Sequence, residues 1–253
     1  GLPPADLFIA CEPSPVVHAI NNEIANKGIR VSPMTKTVRS DVPAVNPSSA
    51  LSVATVAIVV REATVDRQVS LLRLPLSWHG DFWDFEGPLD FLGFDGGGGI
   101  GSGPGMAVGG ALALKGSHRL PLAIIGDGDY LMGVTAFWTA AHARIPLIAL
   151  VVNNRSFFND ELHQERVARE RHRPVENRWI GQRIDDPPPD LAMMARAQGL
   201  KAYGPVNNAS ELKHALAQAL VDFDEGFPVV IDVRVEPGYA PSMTQGMTRS
   251  HTK

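Results

Sequence analysis

Leu122-Ala123-Ile124-Ile125-Gly126-Asp127-Gly128, followed by Leu147-Ile148-Ala149-Leu150-Val151-Val152-Asn153-Asn154, decides how this chain folds. Each stretch is a short apolar run ending in residues suited to a turn. A strand that is apolar throughout, rather than alternating, is buried on both faces of its sheet. Between the two runs, Tyr130 to Ala143 reads as a helix, which is enough for one crossover. Two successive strands joined in this way can be parallel neighbours, so their ends can face the same ligand.

Working outward, Val69 to Leu74, Lys201 to Val206 and Phe227 to Val235 read as further strands. Helices are predicted from a Ser48 or Ser49 cap to about Ala63, through Met106, Val108, Ala111 and Leu112, over Leu191 to Gln198 and over Ser210 to Phe223. Asn208 with Glu211 three residues later resembles a capping box. This alternation predicts an α/β fold, a doubly wound, mainly parallel sheet with helices on both faces. Ligands in such folds bind at the carboxyl ends of the strands. The polar stretch Asn153 to Asp190 interrupts the rhythm, and Asp185-Asp186-Pro187-Pro188-Pro189 reads as the turn that starts the next helix.

Residues 1–47 hold a strand-like run, Leu7 to Ala10, a possible short helix, Val16 to Asn26, and part of a Pro/Ser-rich stretch, Ser32 to Ser49. They read as the tail of something larger, followed by a linker. Residues 48–237 form the expected ligand-binding domain, and 238–253 a carboxyl-terminal tail.

The chain has 253 residues, a formal net charge of −4 and a pI near 6.1, which gives no reason to expect nucleic acid or an anionic membrane as partner. Cys11 is the single cysteine, so neither an internal disulfide framework nor an iron–sulfur cluster held by this chain alone is possible. Beside Leu7 to Ala10 it reads as a small buried hydrophobe. No apolar run approaches the roughly 20 residues of a membrane span. Gly1-Leu2-Pro3-Pro4 lacks the features of a signal peptide, so a cytoplasmic location is expected.

Chemistry concentrates at the two strand ends. An aspartate flanked by glycines, Gly126-Asp127-Gly128, can reach a metal while its backbone approaches an anion. Asn154 can converge on the same point from the neighbouring strand. Magnesium takes oxygen ligands in near-octahedral geometry and often completes its shell with phosphate oxygens.

Gly-Asp-Gly, a spacer of this length and Asn-Asn together resemble the signature of thiamine-diphosphate enzymes. Ala136-Phe137-Trp138-Thr139-Ala140-Ala141, then Ile145-Pro146, is similar to the branch containing acetolactate synthase and benzoylformate decarboxylase. The resemblance covers about residues 48–237. It implies the thiamine-diphosphate-binding fold, with Mg2+ held by Asp127, Asn154 and the Ser156 carbonyl. Within Gly96-Gly97-Gly98-Gly99-Ile100-Gly101, it assigns Gly98 to the aminopyrimidine amino group and Ile100 to the wedge that bends the cofactor. Gly128 and Asp129 are further implied cofactor contacts. In Ser77-Trp78-His79-Gly80, His79 is implied as a donor to the diphosphate, the plain alternative being a helix start capped by Ser77. Phe157 and Phe158 follow the metal-binding asparagine and could line the pocket.

The implied reaction starts from a 2-oxo acid, releases carbon dioxide and yields an aldehyde or, with a second carbonyl compound, a hydroxyketone. The glutamate that activates the cofactor lies, in the family, on a separate pyrimidine-binding domain that this sequence has no room for. A partner domain or subunit carrying that glutamate is therefore expected, in a homo- or hetero-oligomer, and a flavin (FAD) would belong only to the missing middle domain. Two alternatives remain: a non-catalytic cofactor-binding or assembly subunit, and the small subunit of a 2-oxo-acid:ferredoxin oxidoreductase, against which the single cysteine argues.

Other patterns carry less. Gly96, Gly98 and Gly101 also fit a dinucleotide fingerprint, but Leu89 to Phe94, with Asp90 and Gly93, is no apolar strand leading into it. His163 and His172 flank the charged run Glu161 to Arg171, which reads as a solvated helix face, since no third ligand has zinc spacing.

Overall fold

The computed structural model describes residues 10–28, 45–93 and 99–237. The chain divides into two compact units, Gly1–Val42 and Pro43–Lys253. In the first, helix α1 spans Pro13–Asn26 and buries none of its residues. Cys11 is exposed, which corrects the expectation of a buried thiol. The strand expected over Leu7 to Ala10 lies almost wholly outside the described residues.

The second unit is built on a five-stranded sheet of β1 (Val69–Arg73), β2 (Leu120–Gly126), β3 (Ile148–Asn153), β4 (Lys201–Val206) and β5 (Val229–Arg234). The order is β1-β2-β3-β5-β4, and every pairing is parallel. Helix α2 (Val53–Ala63) precedes β1, and between the strands come α3 (Gly103–Ala113), α4 (Asp127–Gly133), α5 (Ala136–His142), α6 (Phe158–Glu170), α7 (Leu191–Ala197) and α8 (Ala209–Asp224).

Successive side chains of a strand point to opposite faces, and the sheet has a core on each side. Ile124, Leu150, Val152, Ile231 and Val233 pack with Val56, Val60, Leu212 and Leu216 of α2 and α8. Ile125, Ala149, Val151 and Val230 pack with Ala107, Tyr130, Phe137 and Leu191 of α3, α4, α5 and α7. The doubly wound fold read from the apolar strands is the fold observed. Edge strand β4 is the exception, with most of its residues exposed or half-buried.

Local departures from the sequence reading have physical causes. Ser52, rather than Ser48 or Ser49, caps α2, its hydroxyl accepting the Thr55 N–H at 3.1 Å. Asn208 caps α8 as expected, accepting the Glu211 N–H at 2.9 Å, while the Glu211 carboxylate takes the Asn207 N–H at 2.7 Å. Asp190 caps α7, so the helix starts after the Asp185 to Pro189 turn. The single helix expected over Tyr130 to Ala143 is two, broken at Val134-Thr135. At that break Gly133 sits so tightly that a Cβ there would lie 2.2 Å from the Gly101 carbonyl oxygen. Helix α4 also begins earlier than expected, at Asp127 itself. No helix among the described residues is long and apolar enough to cross a membrane.

Candidate functional site

The carboxyl ends of β1, β2 and β3 and the first turns of α4 and α6 enclose a pocket of about 380 Å³. Asp127 lies on its floor, 3% exposed, as the first residue of α4, where acidic side chains favour the helix dipole. Its Oδ1 accepts the Gly128 N–H at 2.9 Å and its Oδ2 the Ser156 N–H at 3.2 Å. Burial pushes the carboxyl up to about 6, with backbone N–H groups of Gly128, Arg155 and Ser156 pulling the other way.

The Ser156 N–H is shared. It also donates to Asn154 Oδ1 at 3.0 Å, so a carboxylate oxygen and an amide oxygen from adjacent strands converge on one nitrogen. Arg155, at φ +60°, turns the chain through the left-handed region to make this possible. The loop is fastened from outside by 182–184: Phe157 N–H donates to the Gln182 carbonyl and Ile184 N–H to the Arg155 carbonyl, both at 2.9 Å.

Of the residues given a cofactor, metal or pocket role in the sequence, Ile100, Asp127, Gly128, Asp129, Asn154, Ser156, Phe157 and Phe158 line this pocket. Gly98 lies outside the described residues. His79 is not among the lining residues. It caps a short 3-10 helix, Gly80–Phe82, its Nδ1 accepting the Asp81 N–H at 3.2 Å, and Ser77 lines the pocket instead. Neither the donor role nor the Ser77 cap is what this geometry places there.

Asp129, expected as a cofactor contact, lines the pocket with its carboxylate already engaged by the chain. Its Oδ1 accepts Gly101 N–H at 2.6 Å and Gly103 N–H at 3.1 Å, and its Oδ2 pairs with Arg73 Nε at 3.1 Å. The carboxylate thus ties the glycine-rich segment to the end of β1. Gly103 permits this approach, since a Cβ there would lie 2.3 Å from Asp129 Oδ2. Gly128 has the ring of Phe157 against it, 2.2 Å from where a Cβ would be.

Sequence reasoning missed three participants. Arg73 is a lone cation at the end of an apolar strand, a signal that was available. Glu161, placed on a solvated face, is 2% exposed: it accepts the Ser156 hydroxyl and pairs with Arg183 Nε at 3.1 Å. Nothing in that charged run marks it. Asp232, 1% exposed on β5, accepts the Asn153 amide N–H at 2.8 Å. Burial pushes its carboxyl up, while the Asn153 bond and the Arg234 charge act against that.

As a metal site, the set supplies hard oxygen donors from one buried carboxylate and one amide, which fits a magnesium ion shared with a phosphate. Among the described residues no three His, Cys, Asp or Glu side chains come together as a metal site.

Comparison with known proteins followed from this geometry. The family model described as thiamine pyrophosphate enzyme, C-terminal TPP binding domain, matches residues 76–233. Benzoylformate decarboxylase of Pseudomonas aeruginosa is 39% identical over 64 residues, 25% of this chain and 12% of that protein. A probable acetolactate synthase large subunit of Methanococcus aeolicus is 26% identical over 166 residues, 66% of this chain and 25% of that one. Among solved structures, the thiamine diphosphate-dependent 4-hydroxybenzoylformate decarboxylase of Rhodococcus jostii superposes with a TM-score of 0.62 at 23% identity. It covers 83% of this chain and 36% of its own. The chain thus spans a quarter or less of the curated relatives named and about a third of the solved enzyme.

Proposed function

Because this chain belongs to the thiamine pyrophosphate enzymes, by its C-terminal TPP binding domain, we propose that it supplies the diphosphate- and magnesium-holding half of an active site. The enzyme is a C–C lyase or carboligase acting on a 2-oxo acid. The observation that carries this reading is the convergence of Asp127 Oδ2 and Asn154 Oδ1 on the Ser156 N–H at the floor of the pocket. With the Ser156 carbonyl, these oxygens would hold Mg2+ against the diphosphate, and Asp127 would supply the compensating charge.

When bound, thiamine diphosphate supplies the electron sink for cleaving the bond next to a ketone. The chain's own residues position it. Ile100, 48% exposed at the pocket wall, has the freedom and bulk for the wedge. Leu74, Leu76, Phe157 and Phe158 add apolar surface to the wall, which favours excluding water from the reacting centre. The activating glutamate comes from a pyrimidine-binding domain or subunit, in a homo- or hetero-oligomer.

With such a partner, the chain should release carbon dioxide from a 2-oxo acid only when thiamine diphosphate and Mg2+ are both present. Cofactor binding without turnover of any aromatic or aliphatic 2-oxo acid would instead make it a non-catalytic cofactor-binding subunit.

A further inference from the structure

We propose that Asp232 is a positioning residue for the metal-holding loop: through Asn153 it sets the turn that brings Asn154 and Ser156 to Asp127. The inference rests on the reading above only for what the loop holds, not for how the loop is built.

Strands β3 and β5 are parallel neighbours, with Val151 opposite Asp232 and Asn153 opposite Arg234. Asn153 and Asp232 share the sheet face that carries Ala149, Val151 and Val230, since residues two apart on a strand point the same way. Both are almost wholly buried, at 3% and 1% exposed. The Asn153 amide donates to Asp232 Oδ1 at 2.8 Å. On its other side Asn153 Oδ1 accepts the Arg155 N–H at 3.2 Å and Arg234 Nη1 at 3.3 Å.

This surround permits one orientation of the amide. A carboxylate oxygen only accepts, and a backbone N–H and a guanidinium only donate, so a flipped amide would oppose oxygen to oxygen and N–H to N–H. With the orientation fixed, Asn153 Oδ1 holds the Arg155 N–H while Arg155 occupies its left-handed conformation. The next N–H along the chain, that of Ser156, is the one shared by Asp127 and Asn154.

Asp232 is a poor choice for stability alone. Among the described residues its Oδ2 is buried without a hydrogen-bond partner, and a buried polar atom left unpaired destabilises the fold. Val151 and Val230 beside it on that face are apolar and fully buried, and the polar groups near the carboxylate are Asn153 and Arg234, at the loop end of the strands. What the carboxylate supplies is direction for the Asn153 amide, and through it for the loop.

The test has two readouts in the intact protein. Asp232→Ala should speed amide hydrogen exchange at Arg155 and Ser156 but not at Leu150 or Ile231 inside the strands. It should also raise the Mg2+ concentration that half-saturates thiamine diphosphate binding by about tenfold or more, as losses behind a metal ligand commonly do. Asp232→Asn keeps an oxygen for the Asn153 amide and should restore both. Asp222→Ala serves as a control, because Asp222 accepts the Tyr203 hydroxyl at the far edge of the sheet. It should lower thermal stability and move neither readout.

Unchanged exchange at 155–156 in Asp232→Ala, or exchange raised evenly along β3 and β5, would overturn the inference. If the alanine variant does not fold, Asn153→Ser breaks the same series one link later and carries the same expectation and refutation. Exchange needs no cofactor, so it judges this inference even if the loop proves to hold something other than Mg2+ and diphosphate.

Discussion

Strands β2 and β3 lie side by side and end level, Gly126 opposite Val152, yet they deliver their functional residues by different means. β2 runs straight into α4, so Asp127 is placed by helix geometry and by the Gly128 N–H it accepts. β3 runs into an irregular turn, so Asn154 is placed by side-chain oxygens, Asn153 Oδ1 accepting the Arg155 N–H and Asn154 Oδ1 the Ser156 N–H, and by a left-handed residue at 155. The first end is built by the backbone and is sensitive to added bulk. The second is built by side chains and is sensitive to the loss of a polar atom.

That contrast can be broken at two points, in decreasing order of effect. Gly128→Ala attacks the β2 end. Its new Cβ would fall 2.2 Å from the Phe157 ring, and overpacking of this kind costs about 1–3 kcal/mol. Thermal stability and thiamine diphosphate affinity should both fall, and adding Phe157→Leu should recover most of each. Full affinity in Gly128→Ala alone would mean that α4 shifts freely and the β2 end is not rigid.

Arg155→Gly probes the β3 end and should do least. Glycine relieves a left-handed conformation that costs other residues about 1–2 kcal/mol, against its own loss of backbone freedom of about 0.5–1 kcal/mol. A melting temperature unchanged or slightly raised, with Mg2+ dependence intact, is the expected result. A large loss of metal affinity would mean that the Arg155 side chain, rather than the turn it occupies, shapes the loop.

The same contrast explains what was legible in the sequence. Leu122 to Ile125 and Leu147 to Val152 announce a two-faced parallel sheet because burial on both faces leaves no polar position in the strand. Asp127 and Asn154 were legible because strand ends in such sheets face the ligand, wherever the rest of the chain goes. The supports were not. Asp129 reaches across to Arg73 on β1 and to the N–H groups of Gly101 and Gly103, a proximity that spacing does not encode. Glu161 sits in a run of mostly exposed charges, and its bonds to Ser156 and Arg183 draw it inward. His79 stands near a strand end, as a diphosphate donor should, but its Nδ1 caps a turn and the residue is not in the pocket lining. Helix α4 starting at Asp127 was hidden for a related reason: glycine-flanked aspartate reads as a turn until the packing of α3 against α4 is known.

The central claim is that Asp127 anchors a divalent cation and, through it, a diphosphate. Calorimetric titration of thiamine diphosphate into the intact protein, with Mg2+ and with a chelator, compared between the wild type and Asp127→Ala, tests it most directly. Binding that requires Mg2+ in the wild type and disappears in Asp127→Ala is the predicted result. Magnesium-dependent binding retained without the Asp127 carboxylate would contradict it.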